Sequence, residues 1–259
     1  MSTSIETNPP VFFPARAFAF VAPFRAEHDI RYYLNGFAVE PHPDGGVIVA
    51  ATNGHQLAAA YCKEGRTDRR RIFTCSKGLI AAAKKPRAAF VGLKNDRLTV
   101  IESVGQELKN WSEADGLETF IQSGSPDVTG NFPDVSRVIP RLAESLEPGL
   151  KGCVAARYVE AIGRATKLAA DSRFNGCRHW THKDGGIVLT RFPSAPNFLV
   201  LTMPMRDDDM PTDPLPAFVA SMHAESDERQ RKEAEAKAAA AAAADSARPQ
   251  LKTSAEVPA

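Results

Sequence analysis

The chain has 259 residues, 32 Lys+Arg against 31 Asp+Glu, and 43% apolar residues. That length allows one large domain or two small ones, and the ordinary aromatic (8%) and charged (24%) shares exclude a collagenous or wholly disordered chain. No run of about 18 apolar residues offers a membrane span, and Met1–Asn8 lacks the basic and apolar regions of a signal peptide, so a cytoplasmic location is expected.

The near-neutral total hides an asymmetry. Residues 207–259 hold 11 acidic and 6 basic residues, which leaves 26 basic and 20 acidic residues in 1–206. A body of net +6 permits a polyanionic partner without demanding one.

In chain order, residues 1–10 are polar and end in Pro9-Pro10, the mark of a loose terminus. A helix is predicted over 14–24, with Pro14 in its first turn. Extended segments follow at Tyr32–Glu40, Val47–Ala51 and Leu57–Tyr61. A second helix is predicted over 77–85, with Ser76 as N-cap and Pro86 as stop. Strand-like runs come after it at Ala88–Leu93, Leu98–Glu102 and on to Ile121. A third helix over 154–170 carries Val154, Tyr158, Ile162, Ala165 and Ala169 on one face. Cys177–His182, Ile187–Phe192 and Phe198–Met203 follow it as strands. Three copies of one βαβββ-like unit account for this order.

A weak internal repeat agrees. Asp29-x-Arg31…Asn35-Gly36…Asp44-Gly45-Gly46-Val47 matches Asp171-x-Arg173…Asn175-Gly176…Asp184-Gly185-Gly186-Ile187. Beyond residue 206 the composition simplifies. From Ala224 to Ala244 it is mostly Ala, Glu, Lys and Arg, with acid-to-base i,i+4 pairs such as Glu228–Lys232, which predicts a solvated helix rather than core.

Chemistry-bearing patterns are few. Cys62, Cys75, Cys153 and Cys177 show no zinc-knuckle spacing and read as reduced, small core residues. Cys177 and His179 share a strand face, but His182 points the other way, against a metal cluster. No phosphate-cradling Gly-rich loop, G-x-S-x-G or H-E-x-x-H occurs. His55, within Thr52-Asn53-Gly54-His55-Gln56-Leu57, is open to two readings, a catalytic histidine or part of a turn feeding a strand. Arg157, Arg164 and Lys167 fall within an arc of about 80° at about 100° per residue, and Lys77 and Lys84 share a face of the second helix. Such rows suit a phosphate backbone or an ordinary solvated face.

Asp29-Ile30-Arg31-Tyr32-Tyr33-Leu34-Asn35-Gly36 resembles a signature of the bacterial DNA polymerase III β subunits, the sliding clamps. Ala51-Thr52-Asn53-Gly54-His55-Gln56-Leu57-Ala58, Phe132-Pro133-Asp134-Val135-Ser136-Arg137-Val138-Ile139-Pro140 and Met203-Pro204-Met205-Arg206 continue the pattern in family order, over about 11–206. The resemblance implies an α+β DNA-clamp fold, repeated βαβββ units with helices on one face of antiparallel sheets, followed by a solvated helical or disordered tail. It implies a disordered 1–10, a middle-type clamp domain over 11–147, a partial clamp domain over 148–206, and an acidic tail over 207–259.

In function it implies a non-catalytic processivity factor that needs no cofactor or metal. Double-stranded DNA would face Arg31, Tyr32, Tyr33, Lys77, Lys84, Arg157, Arg164 and Lys167. DNA polymerases and other clamp-binding-motif proteins would place Gln-Leu-x-Leu-Phe-type peptides in a pocket of Leu34, Thr52, Gly54, His55, Leu57, Pro140, Met203, Pro204, Met205 and Arg206. Gln56 and Asn53 depart from the common Arg and Asp, so the polar contacts to the peptide are expected to differ. Three units rather than six point to a homo-oligomer. The competing expectation is a ring-less adaptor or decoy that binds partner peptides without encircling DNA.

Overall fold

The computed structural model describes residues 11–94, 97–102, 119–124, 128–169, 176–205 and 217–246. One compact unit ends at Asp207, and a second spans Asp208–Ala259.

In the first unit the βαβββ pattern occurs three times. The first copy is β1 (Val11–Pro14), α1 (Ala15–Val21), β2 (Gly36–Pro41), β3 (Val47–Thr52) and β4 (Gln56–Cys62). A short β5 (Arg66–Thr67) precedes the second: β6 (Arg71–Thr74), α2 (Lys77–Ala83), β7 (Ala88–Lys94), β8 (Arg97–Glu102) and β9 (Thr119–Gly124). The third is β10 (Leu146–Pro148), α3 (Ala156–Ala169), β11 (Arg178–His182), β12 (Val188–Phe192) and β13 (Ala195–Thr202).

Local chemistry explains the helices. Ser76 caps α2, its hydroxyl accepting from the Leu79 N–H at 3.1 Å. Amphipathic α3 turns Tyr158, Ala161, Ile162 and Ala165 inward. By contrast, α1 is buried on nearly every side, because Ala15, Ala17 and Ala19 are small enough for α2, α3 and the strands to approach it. Its Phe18 packs on Phe37 of β2 (centroids 4.8 Å), while Phe20 packs on Phe198 (4.6 Å) and Phe192 (5.2 Å) of the third copy.

Among the described residues the strands form two antiparallel sheets, ordered β5-β1-β7-β8-β9 and β10-β11-β12-β13-β4-β3-β2-β6. The first strands of copies one and two are exchanged: β1 pairs with β7, and β6 pairs with β2. In copy three, β10 pairs with β11 of its own copy and fills the sheet edge that β6 fills for copy one. The sheet is continuous because β13 pairs with β4, from Phe198↔Ala60 to Thr202↔Gln56.

Alternation along these strands separates two faces. Phe37, Val39, Val49, Ala51, Ala58, Ala60 and Val200 meet the helices. Ala38, Ala50, Leu57, Ala59 and Leu201 point outward and are covered by Phe132, Val135, Val138 and Ile139, a strap laid across the outer face.

The extended reading of Tyr32–Glu40 is corrected at its start, since residues 32–35 form a 3-10 turn. The turn is closed by Leu34 N–H to Arg31 O (2.8 Å) and Ala26 N–H to Leu34 O (2.9 Å), and Asn35 exchanges two hydrogen bonds with the Asp29 backbone. The repeated Asp-Gly-Gly turns match in detail. Nδ1 of His42 accepts from Asp44 N–H (3.2 Å), as Nδ1 of His182 does from Asp184 N–H (3.3 Å), with Gly45 and Gly185 at φ +86° and +73°. Asp171, Arg173 and Asn175 lie outside the described residues.

The described residues of the second unit form one helix, α4 (Ala217–Ser246), which exposes residues 227–240 throughout. Glu228–Lys232 (2.7 Å) and Arg231–Glu235 (3.8 Å) form i,i+4 pairs along it.

Candidate functional site

The junction of β4 and β13 positions two grooves. On the outer face, Leu57 and Leu201 sit side by side as cross-strand partners. A turn from Thr52 to Gln56 builds the rim above them. The Thr52 hydroxyl donates to Gln56 O (2.7 Å) and accepts from Gly54 N–H (3.1 Å). The Asn53 side-chain carbonyl accepts from the N–H groups of His55 (2.9 Å) and Gln56 (2.8 Å). Gly54 has φ +87°, and a Cβ there would stand 3.2 Å from the Arg31 guanidinium, so glycine suits both backbone and space.

The result is an apolar groove with about 600 Å³ of empty space. Copy one contributes Arg31, Leu34, Thr52, Gly54, His55, Gln56 and Leu57; the strap gives Pro133 and Val138; copy three gives Ile187, Leu201, Thr202 and Met203. Of the residues expected here, Leu34, Thr52, Gly54, His55, Leu57 and Met203 line the groove. Pro140 does not; Pro133 and Val138 of the same motif take that wall. Pro204 and Met205 lie just past the groove, where Met205 N–H donates to Cys153 O at 2.7 Å. Arg206 lies outside the described residues. Ile187 and Leu201 were not expected here, although strand alternation from Leu57 across the β4–β13 pairing points to them.

The His55 ring stacks against Tyr158 (5.9 Å between centroids, 25°). Among the described residues no carboxylate or other base is hydrogen-bonded to it, so the turn reading of Thr52–Leu57 accounts for its geometry.

Gln56 faces the other way. Its parity with Ala58 turns it to the helix side, where it is 2% exposed. Nε2 donates to Tyr158 O (3.2 Å) and Thr202 Oγ1 (3.0 Å), tying β4 to α3 and β13.

The helix side is basic. Lys77 of α2, Lys84 at its C-terminal cap and Arg164 of α3 meet Arg25 and Glu27 around one depression of about 920 Å³. A second groove of about 1070 Å³ brings Arg157 and Arg164 together with Arg25, Tyr158, His55 and Gln56, and with the carboxylates of Glu27 and Asp29. The Arg157 guanidinium lies 4.9 Å from the Tyr158 ring centre and donates to its hydroxyl at 3.1 Å. Arg164 stands 3.7 Å from Glu160, both solvated. Lys167 is exposed in the last turn of α3 and lines neither depression. Arg25 was not singled out by helix periodicity because it lies past the end of α1. A hydrogen bond to Ala22 O (2.9 Å) and a pair with Glu27 (3.2 Å) aim it into both grooves. Arg16 instead donates to Leu168 O (3.1 Å) near the end of α3.

Arg31, Tyr32 and Tyr33 are not gathered with these cations. Arg31 borders the apolar groove and grips Asp29 through Nε (3.0 Å) and Nη2 (2.8 Å). That grip, with the Arg31 backbone N–H, holds the Asp29 carboxyl down at about 2. The Tyr32 hydroxyl donates to Thr129 O (2.6 Å) while its ring stays half exposed, and Tyr33 is half-buried against the outer cluster.

Burial pushes the thiols of Cys62 and Cys75 up to about 12 and about 11, so both are protonated at neutral pH. Cys177 Sγ lies 3.5 Å from His179 Nε2, whereas His182 turns to Asp184. Among the described residues no group of three or more His, Cys, Asp or Glu could hold a metal ion, and no helix is long and apolar enough to cross a membrane.

No family model matches the chain. A curated relative, the beta sliding clamp of Pseudomonas aeruginosa, is 29% identical over 156 residues, covering 59% of this chain and 37% of the relative. The chain thus aligns with well under half of that relative's length. The DNA polymerase III subunit beta of Borrelia burgdorferi, solved in complex with a natural product, superposes with a TM-score of 0.51 at 12% identity, covering 80% of this chain and 66% of that one. A ligand-bound sliding clamp from Pseudomonas aeruginosa gives 0.47 at 18% identity, covering 80% and 69%. Motif order, the curated match and the βαβββ architecture agree that the chain is similar to the beta sliding clamps over part of their length and shares their fold.

Proposed function

We propose that this chain is a sliding-clamp-like, non-catalytic scaffold that associates with duplex DNA and tethers polymerases or repair proteins to it in the cytoplasm. The observation that carries the reading is the pairing of two opposite surfaces: cations carried by α2 and α3 on the helix side, and an apolar groove at the β4–β13 junction on the outer face of the eight-stranded sheet. Lys77, Lys84, Arg157, Arg164 and Lys167 would engage phosphates without reading sequence. The groove, floored by Leu57 and Leu201 and rimmed by Met203, suits one or two apolar side chains of a Gln-Leu-x-Leu-Phe-type peptide. Arg31 at its edge would take a carbonyl or carboxylate of that peptide, a role closer to its position than a DNA contact. In this reading 11–147 and 148–206 act as one and a half clamp domains followed by a tail, and several copies assemble around DNA.

The test is retention on circles. The protein should stimulate a polymerase on primed circular DNA and be lost when the circle is linearised. Retention that ignores linearisation, or peptide binding with no retention, would replace the scaffold by an adaptor. Native mass measurement with and without DNA gives the copy number; a monomer under both conditions would overturn assembly around DNA.

A further inference from the structure

The two grooves share a wall. His55 and Gln56 border the apolar groove on one side of the sheet and the basic groove on the other. Among the described residues that wall is pinned from both directions: Met203 N–H donates to His55 O (2.8 Å), and Gln56 Nε2 holds Tyr158 O and Thr202 Oγ1. Tyr158 in turn carries Arg157 on its ring and hydroxyl. An unbroken series of contacts therefore runs from the apolar floor to a cation on the helix side.

We propose that Gln56 is a positioning residue that couples the two grooves, so that a peptide in the apolar groove and a phosphate backbone on the helix side strengthen each other's binding. The inference rests on the proposed function of the two surfaces. Its sign follows from the geometry. A side chain wedged between Leu57, Leu201 and Met203 rewards close apposition of β4 and β13. The Gln56 amide passes that apposition to the first turns of α3, where Arg157 sits. Phosphates bridging Arg157, Arg164 and Arg25 reward the same apposition, because Arg25 belongs to copy one and the other two to copy three. Two ligands that favour one arrangement bind cooperatively, and linkage makes the effect reciprocal. The main-chain bonds of β4 and β13 remain without Gln56, so its loss should uncouple the surfaces more than it unfolds them.

The experiment measures the affinity of a dye-labelled DNA duplex at low salt, with and without saturating acetyl-Gln-Leu-Ser-Leu-Phe peptide, on the full chain. In the natural sequence the peptide should tighten duplex binding by about fivefold or more, the lower range of allosteric coupling. In Gln56→Leu the ratio should fall to about one, whatever the change in each single affinity. Thr202→Val removes one acceptor of the amide and should lower the ratio, and Thr202→Ser, which keeps the hydroxyl, should restore it. If Gln56→Leu does not fold, the Thr202 pair decides. A natural chain that binds both ligands with a ratio of one, or a ratio that survives Gln56→Leu and Thr202→Val, overturns the coupling and leaves the proposed function standing. A chain that binds neither ligand overturns both.

Discussion

Removing two cations from the helix side should change how DNA binding responds to salt. Lys77, Lys84, Arg157, Arg164 and Lys167 are all exposed, and the Glu160 carboxylate paired with Arg164 is solvated and 3.7 Å away. If each neutralises one phosphate, the slope of log affinity against log salt is about −4.5, at about −0.9 per contact. A rise from about 50 to about 200 mM salt then weakens binding by about 500-fold. Lys84→Ala with Arg164→Ala leaves three contacts, a slope of about −2.7 and a loss of about 40-fold over the same range. Fluorescence anisotropy with one labelled duplex at several salt concentrations measures both slopes. Lys183→Ala, in the turn after β11, is the control and should leave the slope unchanged. A double variant that folds and keeps the original slope, or a control that shifts it equally, would refute the assignment of the helix side to phosphate.

Other consequences are separable. Phe20→Ala empties a site bounded by Phe24, Phe192 and Phe198 and should cost about 3–5 kcal/mol in urea unfolding; a loss below about 1 kcal/mol would mean that α1 does not hold copies one and three together. Met203→Ala trims a half-exposed wall of the apolar groove and should weaken the pentapeptide about tenfold, roughly 1.4 kcal/mol, with little change in unfolding midpoint. Asp29 should titrate near pH 2 by NMR, below its ordinary 3.8. Because its folded value is depressed, its contribution to the 29–35 loop is complete above about pH 4 and is lost as pH falls through 2; Asp29→Asn should abolish that acid-dependent change. Ser76→Ala removes the cap of α2 and should cost about 1 kcal/mol.

The three helices were legible because each rests on local chemistry, such as the Ser76 cap and the 3.6-residue spacing of Tyr158, Ile162 and Ala165. The strand triplets after each helix were legible through alternation and Asp-Gly-Gly turns. What escaped was short or held from afar. β10 is three residues ending in proline, and β6 begins in the Arg69-Arg70-Arg71 run, so neither carries a strand pattern of its own. Residues 32–35 are rich in strand formers, yet Asp29 and Asn35 fold them into a turn through side-chain bonds to backbone. The groove was half legible: motif residues named one wall, but Ile187 and Leu201 reach it only through the β4–β13 pairing. Gln56 stands where the family commonly has an Arg, and only the strand register reveals that its side chain turns inward to Tyr158 and Thr202.

The strand that copy three supplies to its own sheet edge has a bearing on how the molecule forms. Copies one and two are interlocked, since neither completes its sheet without the other's first strand. Closing that exchange requires the pairing of Phe12 with Gly92, far more distant along the chain than Leu146 with His182 in copy three, and such loop closure slows folding. Copy three needs only neighbours within its own stretch before it docks through β13 and the Phe20 contact. Native-state hydrogen exchange should therefore find β10–β12 opening as a separate, less protected block than β2 and β3. Removing the third copy would leave copies one and two with every strand they exchange, but it would bare the edge of β4 that β13 now covers.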